Sequence, residues 1–281
     1  MVADFMTTKQ HPAAKSRRQP VLSAGVPGAT VGVAMLAGVF FVVPFVALLA
    51  GITWSELPAL LTTPAALDAL WLSLRTATAA TVACIILGVP LALVLARTDF
   101  PGRTLTRAVV LVPLVIPPVV AGIVLTEAFG RRGLIGAPLS AVGIDIAFTT
   151  AAVVVAQIFV ALPFMVTSLE AHLASSGQYY ERVARSLGAS RWRTFRTITL
   201  PLLRPGLVAG TVLTFARALG EFGATITFAG SLQGTTRTMP LEIYLARETD
   251  PDAAVALSLV LIVVAIVVIG VAYMRPATRK G

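Results

Sequence analysis

Six apolar runs interrupt this sequence, at 28–52, 74–96, 108–130, 148–169, 203–224 and 253–273. A helix rises about 1.5 Å per residue, so about 20 residues cross the hydrocarbon core of a bilayer. The runs therefore predict an all-α, polytopic membrane protein with six transmembrane helices. Composition supports this, because 57% of residues are apolar and 12% are charged, whereas soluble domains carry about 25% charged residues. The segments between the runs leave no room for a separate soluble domain.

Lys9, Lys15, Arg17 and Arg18 precede the first run, an arrangement resembling a signal peptide. The run at 28–52 is longer than the roughly 7–15 residues of a signal core. It reads as a retained first helix, giving a basic tail at 1–27 and a membrane domain at 28–281. Pro113, Pro117 and Pro118 sit in the third run, which should be kinked or broken there. Arg97, Arg103 and Arg107 lie in one loop, Arg182, Arg185, Arg191, Arg193 and Arg196 in a second, and Arg275, Arg279 and Lys280 at the C-terminus. The alternate loops hold only Arg131, Arg132, Arg237 and Arg247. By the positive-inside rule both termini are cytoplasmic and the 231–252 loop is external. The formal net charge of +9 is spread between apolar runs, so it marks topology and no nucleic-acid partner is expected. Cys84 is alone, and His11 and His172 have no ligand partners at metal spacing, so no disulfide framework, metal or cofactor is expected.

The loop at 170–202 carries the densest pattern. Tyr180, Val183, Ala184 and Leu187 recur at helical spacing, with Glu181, Arg182 and Arg185 on the other face. Gly188 fits a left-handed cap and Ser190 an N-cap for a second short helix at 191–196, with Trp192 and Phe195 on one side. Pro201 and Pro205 mark entry into the fifth span. Two amphipathic helices of this kind either lie on lipid or dock into a soluble partner.

The run Ala184, Arg185, Ser186, Leu187, Gly188, Ala189, Ser190, followed by Ile198, Thr199, Leu200 and Pro201, resembles the "EAA" loop of ABC importer permeases. In that family a glycine precedes I-x-L-P by a fixed gap, and the loop plugs into a groove of the ATP-hydrolysing subunit. The motif's glutamate position falls on Arg182, with Glu181 one place earlier, and Val183 replaces the first alanine while Ala184 keeps the second. The resemblance implies the type I (MetI-like) permease fold and an ATPase-coupling role for Glu181, Ala184, Leu187, Gly188, Ile198, Leu200 and Pro201. Four further segments resemble the molybdate branch: 73–76, 113–122, 218–226 and 235–240 with Ile243 and Tyr244. Sulfate permeases share a segment similar to 220–223. The branch implies a homodimer in a bacterial inner membrane, two copies of a separate ATPase, an external molybdate-binding protein, and molybdate as cargo, with tungstate or sulfate as alternatives.

The lysines are Lys9, Lys15 and Lys280, and none sits in a phosphate-binding Gly-Lys-Ser/Thr. With no H-E-x-x-H and no paired intramembrane carboxylates, an enzyme is the weaker class, and a secondary transporter or channel is the better alternative to an ATP-driven importer. Arg217 and Glu221 stand i,i+4 in the fifth run, where their side chains can meet. They are either a structural ion pair, the favoured reading, or a cation on an anion's path. Arg75 reads as snorkelling to headgroups. Thr211, Thr214, Thr225 and Thr227 offer hydroxyls that more often bond their own backbone than a substrate.

Overall fold

The computed structural model describes residues 27–273, and every regular element among them is helical. The basic residues and His11 of the N-terminal tail, and Arg275, Arg279 and Lys280, lie outside the described residues. The described residues divide into two compact units at the boundary between Ala47 and Leu48. Helix α1 (Gly28–Ala50) shows apolar side chains all round, including Val33, Leu36, Phe40 and Phe41, all exposed. That is the surface a lipid-facing span needs.

The second unit begins with the short α2 (Leu57–Leu61) and the long α3 (Pro64–Arg97). Hydropathy alone starts this span at residue 74, but local chemistry starts it sooner. Thr63 Oγ1 accepts from the Ala66 amide at 3.3 Å, and Pro64 occupies the first helical position, where its missing N–H costs nothing. Helix α4 (Arg103–Leu111) runs through a 3₁₀ turn (Val112–Leu114) to a break, after which α5 (Pro118–Phe129) leaves at 118°. Pro117 and Pro118 have no N–H to carry the ladder across, so the third span breaks where the sequence says it must.

Beyond α6 (Gly136–Ala141) comes α7 (Thr150–Ser176), which is N-capped by the Thr149 hydroxyl and continues past the apolar run. The bent α4–α5 pair packs against α7. Arg107 pairs with Glu170 at 2.6 Å, and Val109 and Val110 share a groove with Leu125, Phe129 and Leu162. Five helices are long and apolar enough to cross a membrane, and the bent pair makes a sixth apolar segment.

Helix α8 (Tyr179–Ser186) follows, then α9 (Arg191–Thr194), a π turn (Phe195–Thr199) and α10 (Leu200–Leu219). The second short helix expected at 191–196 is not separate, because α9 runs through the π turn into the fifth span. Pro201 cannot donate to Thr197, and the wider turn absorbs that loss: the Leu200 amide donates to the Phe195 carbonyl instead. The fifth span ends at Leu219, earlier than the apolar run, and α11 (Gly223–Phe228), α12 (Met239–Thr249) and α13 (Pro251–Tyr273) complete the chain.

Helices α3, α7 and α10 form the centre. Small residues let them close: a Cβ on Gly88 would stand 2.8 Å from Met165 Cγ, and one on Gly206 would stand 2.8 Å from His172 Cβ. The core between them is Ala77, Ala80, Cys84, Ala161, Met165 and Ala218. Between apolar helices in lipid, close van der Waals approach supplies much of the association, so alanine and glycine are the fitting residues.

Candidate coupling surface and paired helix breaks

Helix α8 stops on a full set of capping bonds. The Gly188 amide donates to Arg185 O at 3.0 Å and the Ala189 amide to Ala184 O at 3.0 Å, closing a Schellman motif. Gly188 has φ +83°, the left-handed region, and a Cβ there would meet nothing within 4 Å. Its requirement is one of backbone conformation and not of space. Two residues on, Ser190 Oγ accepts from the Arg193 amide at 3.3 Å and starts α9.

The apolar faces of α8 and the π turn enclose a groove of about 380 Å³ whose walls include Tyr180, Val183, Ala184, Leu187, Ile198 and Pro201. Leu187 is 82% exposed, and Tyr179 and Trp192 are also open to solvent. Apolar side chains displayed this way are uncommon on a surface that faces only water. Four of the coupling residues read from sequence, Ala184, Leu187, Ile198 and Pro201, meet here; Leu200 does not line the groove. Glu181 turns inward. Its Oε1 accepts from the Thr199 hydroxyl at 2.8 Å and its Oε2 lies 3.5 Å from Arg97 at the end of α3, while Arg182 stays exposed. Glu181 thus ties α8 to both long helices behind it.

A second constellation lies where two spans are broken. Glu221 is 1% exposed, one residue beyond the Gly220 cap of α10 and so off the helix that its spacing implied. It still meets Arg217, at 2.5 Å, through a turn, and its other oxygen accepts from the Ala224 amide at 2.7 Å, capping α11. The two breaks abut. A Cβ on Gly223 would lie 2.6 Å from Pro118 Cβ, and one on Gly122 would lie 2.6 Å from Thr227 Cβ and 2.9 Å from Ala224 O. Thr227 bonds its own backbone at Gly223 O, whereas the buried Thr214 and Thr225 hydroxyls have no partner. Thr211 is half-buried and Arg75 exposed.

At the opposite end from α8, the loop before α12 is stitched to distant helices. Ser73 Oγ accepts from the Met239 amide at 2.6 Å, Thr150 Oγ1 donates to Thr235 O at 2.8 Å, and Gln233 donates to Asp68 at 3.1 Å. The four segments resembling the molybdate branch therefore pair off, 113–122 against 218–226 and 73–76 against 235–240. Residue types alone gave no sign of the Arg97–Gly177 and Arg107–Glu170 contacts, which join residues far apart in sequence, or of Gln157, whose buried amide has neither end partnered.

The model of the family described as "Binding-protein-dependent transport system inner membrane component" matches residues 88–280. The chain belongs to that family. Among relatives of this inner membrane component, the molybdenum transport system permease protein ModB of Mycobacterium tuberculosis is 58% identical over 245 residues, covering 86% of this chain and 92% of that protein. The Escherichia coli K12 ModB is 45% identical, covering 65% and 80%, and the sulfate transport system permease protein CysT of the same organism is 35% identical, covering 79% and 80%. Among solved structures, a chain of the bacterial alginate ABC transporter aligns with a TM-score of 0.69 at 19% identity, covering 87% of this chain and 91% of that one. A chain of the MetNI methionine ABC transporter aligns with a TM-score of 0.58 at 18% identity, covering 73% and 92%. The fold is that of type I ABC importer permeases, and this family member is a multi-pass inner membrane protein, a translocation component and not an enzyme.

Proposed function

We propose that this chain is the permease subunit of an ATP-driven molybdate importer. It works as a homodimer with two copies of a separate ABC ATPase and an external molybdate-binding protein, embedded in membrane lipid. The 58% identity over 245 residues to molybdenum permeases carries the cargo assignment, set against 35% to the sulfate permease. The basic loops support a cytoplasmic position for both termini and the α8 groove, where the groove residues with Glu181, Gly188 and Leu200 form the ATPase-coupling element. A tetrahedral dianion cannot cross hydrocarbon unaided, and accumulating it needs an energy source. The three lysines fit no nucleotide loop, so the energy enters through the docked ATPase. ATP-driven closure of that partner would move α8, and Glu181 would pass the motion to α3 and α10, alternating access between the two faces. Arg217 and Glu221 serve this reading as a structural pair, since each already has a partner. The test is uptake into vesicles holding the chain, its ATPase and its binding protein, with molybdate, tungstate and sulfate supplied separately. ATP-dependent molybdate uptake is expected; sulfate uptake without molybdate would overturn the cargo, and no uptake of any oxyanion would overturn the importer reading.

A further inference from the structure

Behind the coupling helix lies a pocket that docking does not account for. It holds about 190 Å³ between the end of α3, helix α8 and the start of α9, with Arg97, Glu181, Arg185, Arg191 and Thr194 in its walls. Three arginines and one carboxylate line it; the carboxylate accepts from the Thr199 hydroxyl at 2.8 Å, and Arg185 Nε donates to the Glu181 backbone carbonyl at 3.4 Å. Two polar groups are orphaned. Arg97 gives its Nη2 to Gly177 O at 2.8 Å, but its buried Nε has no partner, and Thr194, 5% exposed, has a hydroxyl with none. Buried donors without acceptors are rare because each forfeits its hydration. Donors on a cationic wall call for a small group with several negatively charged oxygens. The neighbouring cavity offers no such demand, since Arg103 and Arg107 are matched by Asp99 and Glu170.

We propose that this pocket binds one tetrahedral oxyanion of the phosphate class, held by Arg97, Arg185 and Arg191 and hydrogen-bonded by Thr194. The three arginines come from three elements, so the bound anion ties the coupling helix to α3 and to the root of the fifth span, reinforcing the 3.5 Å approach of Glu181 to Arg97. The same chemistry is offered by free inorganic phosphate and by the phosphodiester of an anionic lipid headgroup. The experiment compares the assembled, nucleotide-free importer carrying the native chain, Arg185→Gln/Arg191→Gln, or Thr194→Val. Both arginines are exposed, and valine keeps the shape of threonine, so the second variant retains the test if the first fails to assemble. In phosphatidylcholine discs, labelled orthophosphate binding should weaken about tenfold or more in each variant. In discs enriched in phosphatidylglycerol, native mass spectrometry should find lipid retained by the native chain and lost from the variants if the headgroup is the source. Either loss supports the site and names its source. Equal binding of both probes by all three proteins overturns it.

Discussion

Glu221 shows how little a single residue's spacing says about its surroundings. Its i,i+4 relation to Arg217 announced an ion pair, and the pair forms, yet not on a helix, because Gly220 ends α10 first. Burial follows from the break and from the capping of α11, which no local pattern in the sequence encodes. Arg217→Ala leaves a carboxylate at 1% exposure with only a backbone amide, a loss of about 3–5 kcal/mol for a broken buried pair. Thermal unfolding in detergent should register that drop, and Arg217→Ala with Glu221→Gln should regain most of it, since glutamine still accepts from Ala224. A single variant as stable as the native chain would remove the structural role. Gly188 is the opposite case, legible from sequence because only one conformation suits a Schellman cap. At φ +83° with open space around it, valine is penalised by about 1–3 kcal/mol while asparagine tolerates the left-handed region. Gly188→Val should uncouple ATP hydrolysis from uptake and Gly188→Asn should retain much of it; equal activity in the two would refute the backbone argument.

Among elements, the five long apolar helices were legible because about 20 apolar residues have no alternative fate in a bilayer. The broken third span was legible too, since prolines cannot be hidden in a helical ladder. What the sequence did not disclose is that the breaks of the third and fifth spans stand against each other, with Gly122 and Gly223 as the contact. Those glycines look unexceptional in a chain that has 22. Gly122→Ala should lower stability by about 1–3 kcal/mol through overpacking, as its Cβ would press on Thr227 Cβ and Ala224 O. Thr227→Gly in the same chain should recover part of the loss in thermal unfolding, and strict additivity of the two would show that they do not touch. The merging of α9 with α10 was likewise hidden, because a π turn leaves no signature beyond the proline it accommodates.

For the whole molecule, orientation rests on arginine placement, and it has a direct check. Cys84 is buried, so cysteines introduced at the exposed Ser186 and Gln233 report cleanly. An impermeant thiol reagent added to intact cells should label Gln233→Cys and spare Ser186→Cys; the reverse pattern would invert the topology. The two ends of the bundle also differ in when they can exist. The α8 end is held partly by neighbours close along the chain, Glu181 with Thr199 and Ser190 with Arg193, and partly by Arg97, which reaches Gly177 across 80 residues. The far end is closed by bonds that the Met239 amide donates to Ser73 and the Gln233 side chain donates to Asp68, spanning 166 and 165 residues. During synthesis the second helix must wait in the bilayer, its Ser73 hydroxyl without this partner, until nearly the whole chain has emerged. This closure is then a late step of biogenesis, and a ribosome that stalls before residue 239 leaves the far end of the bundle without it.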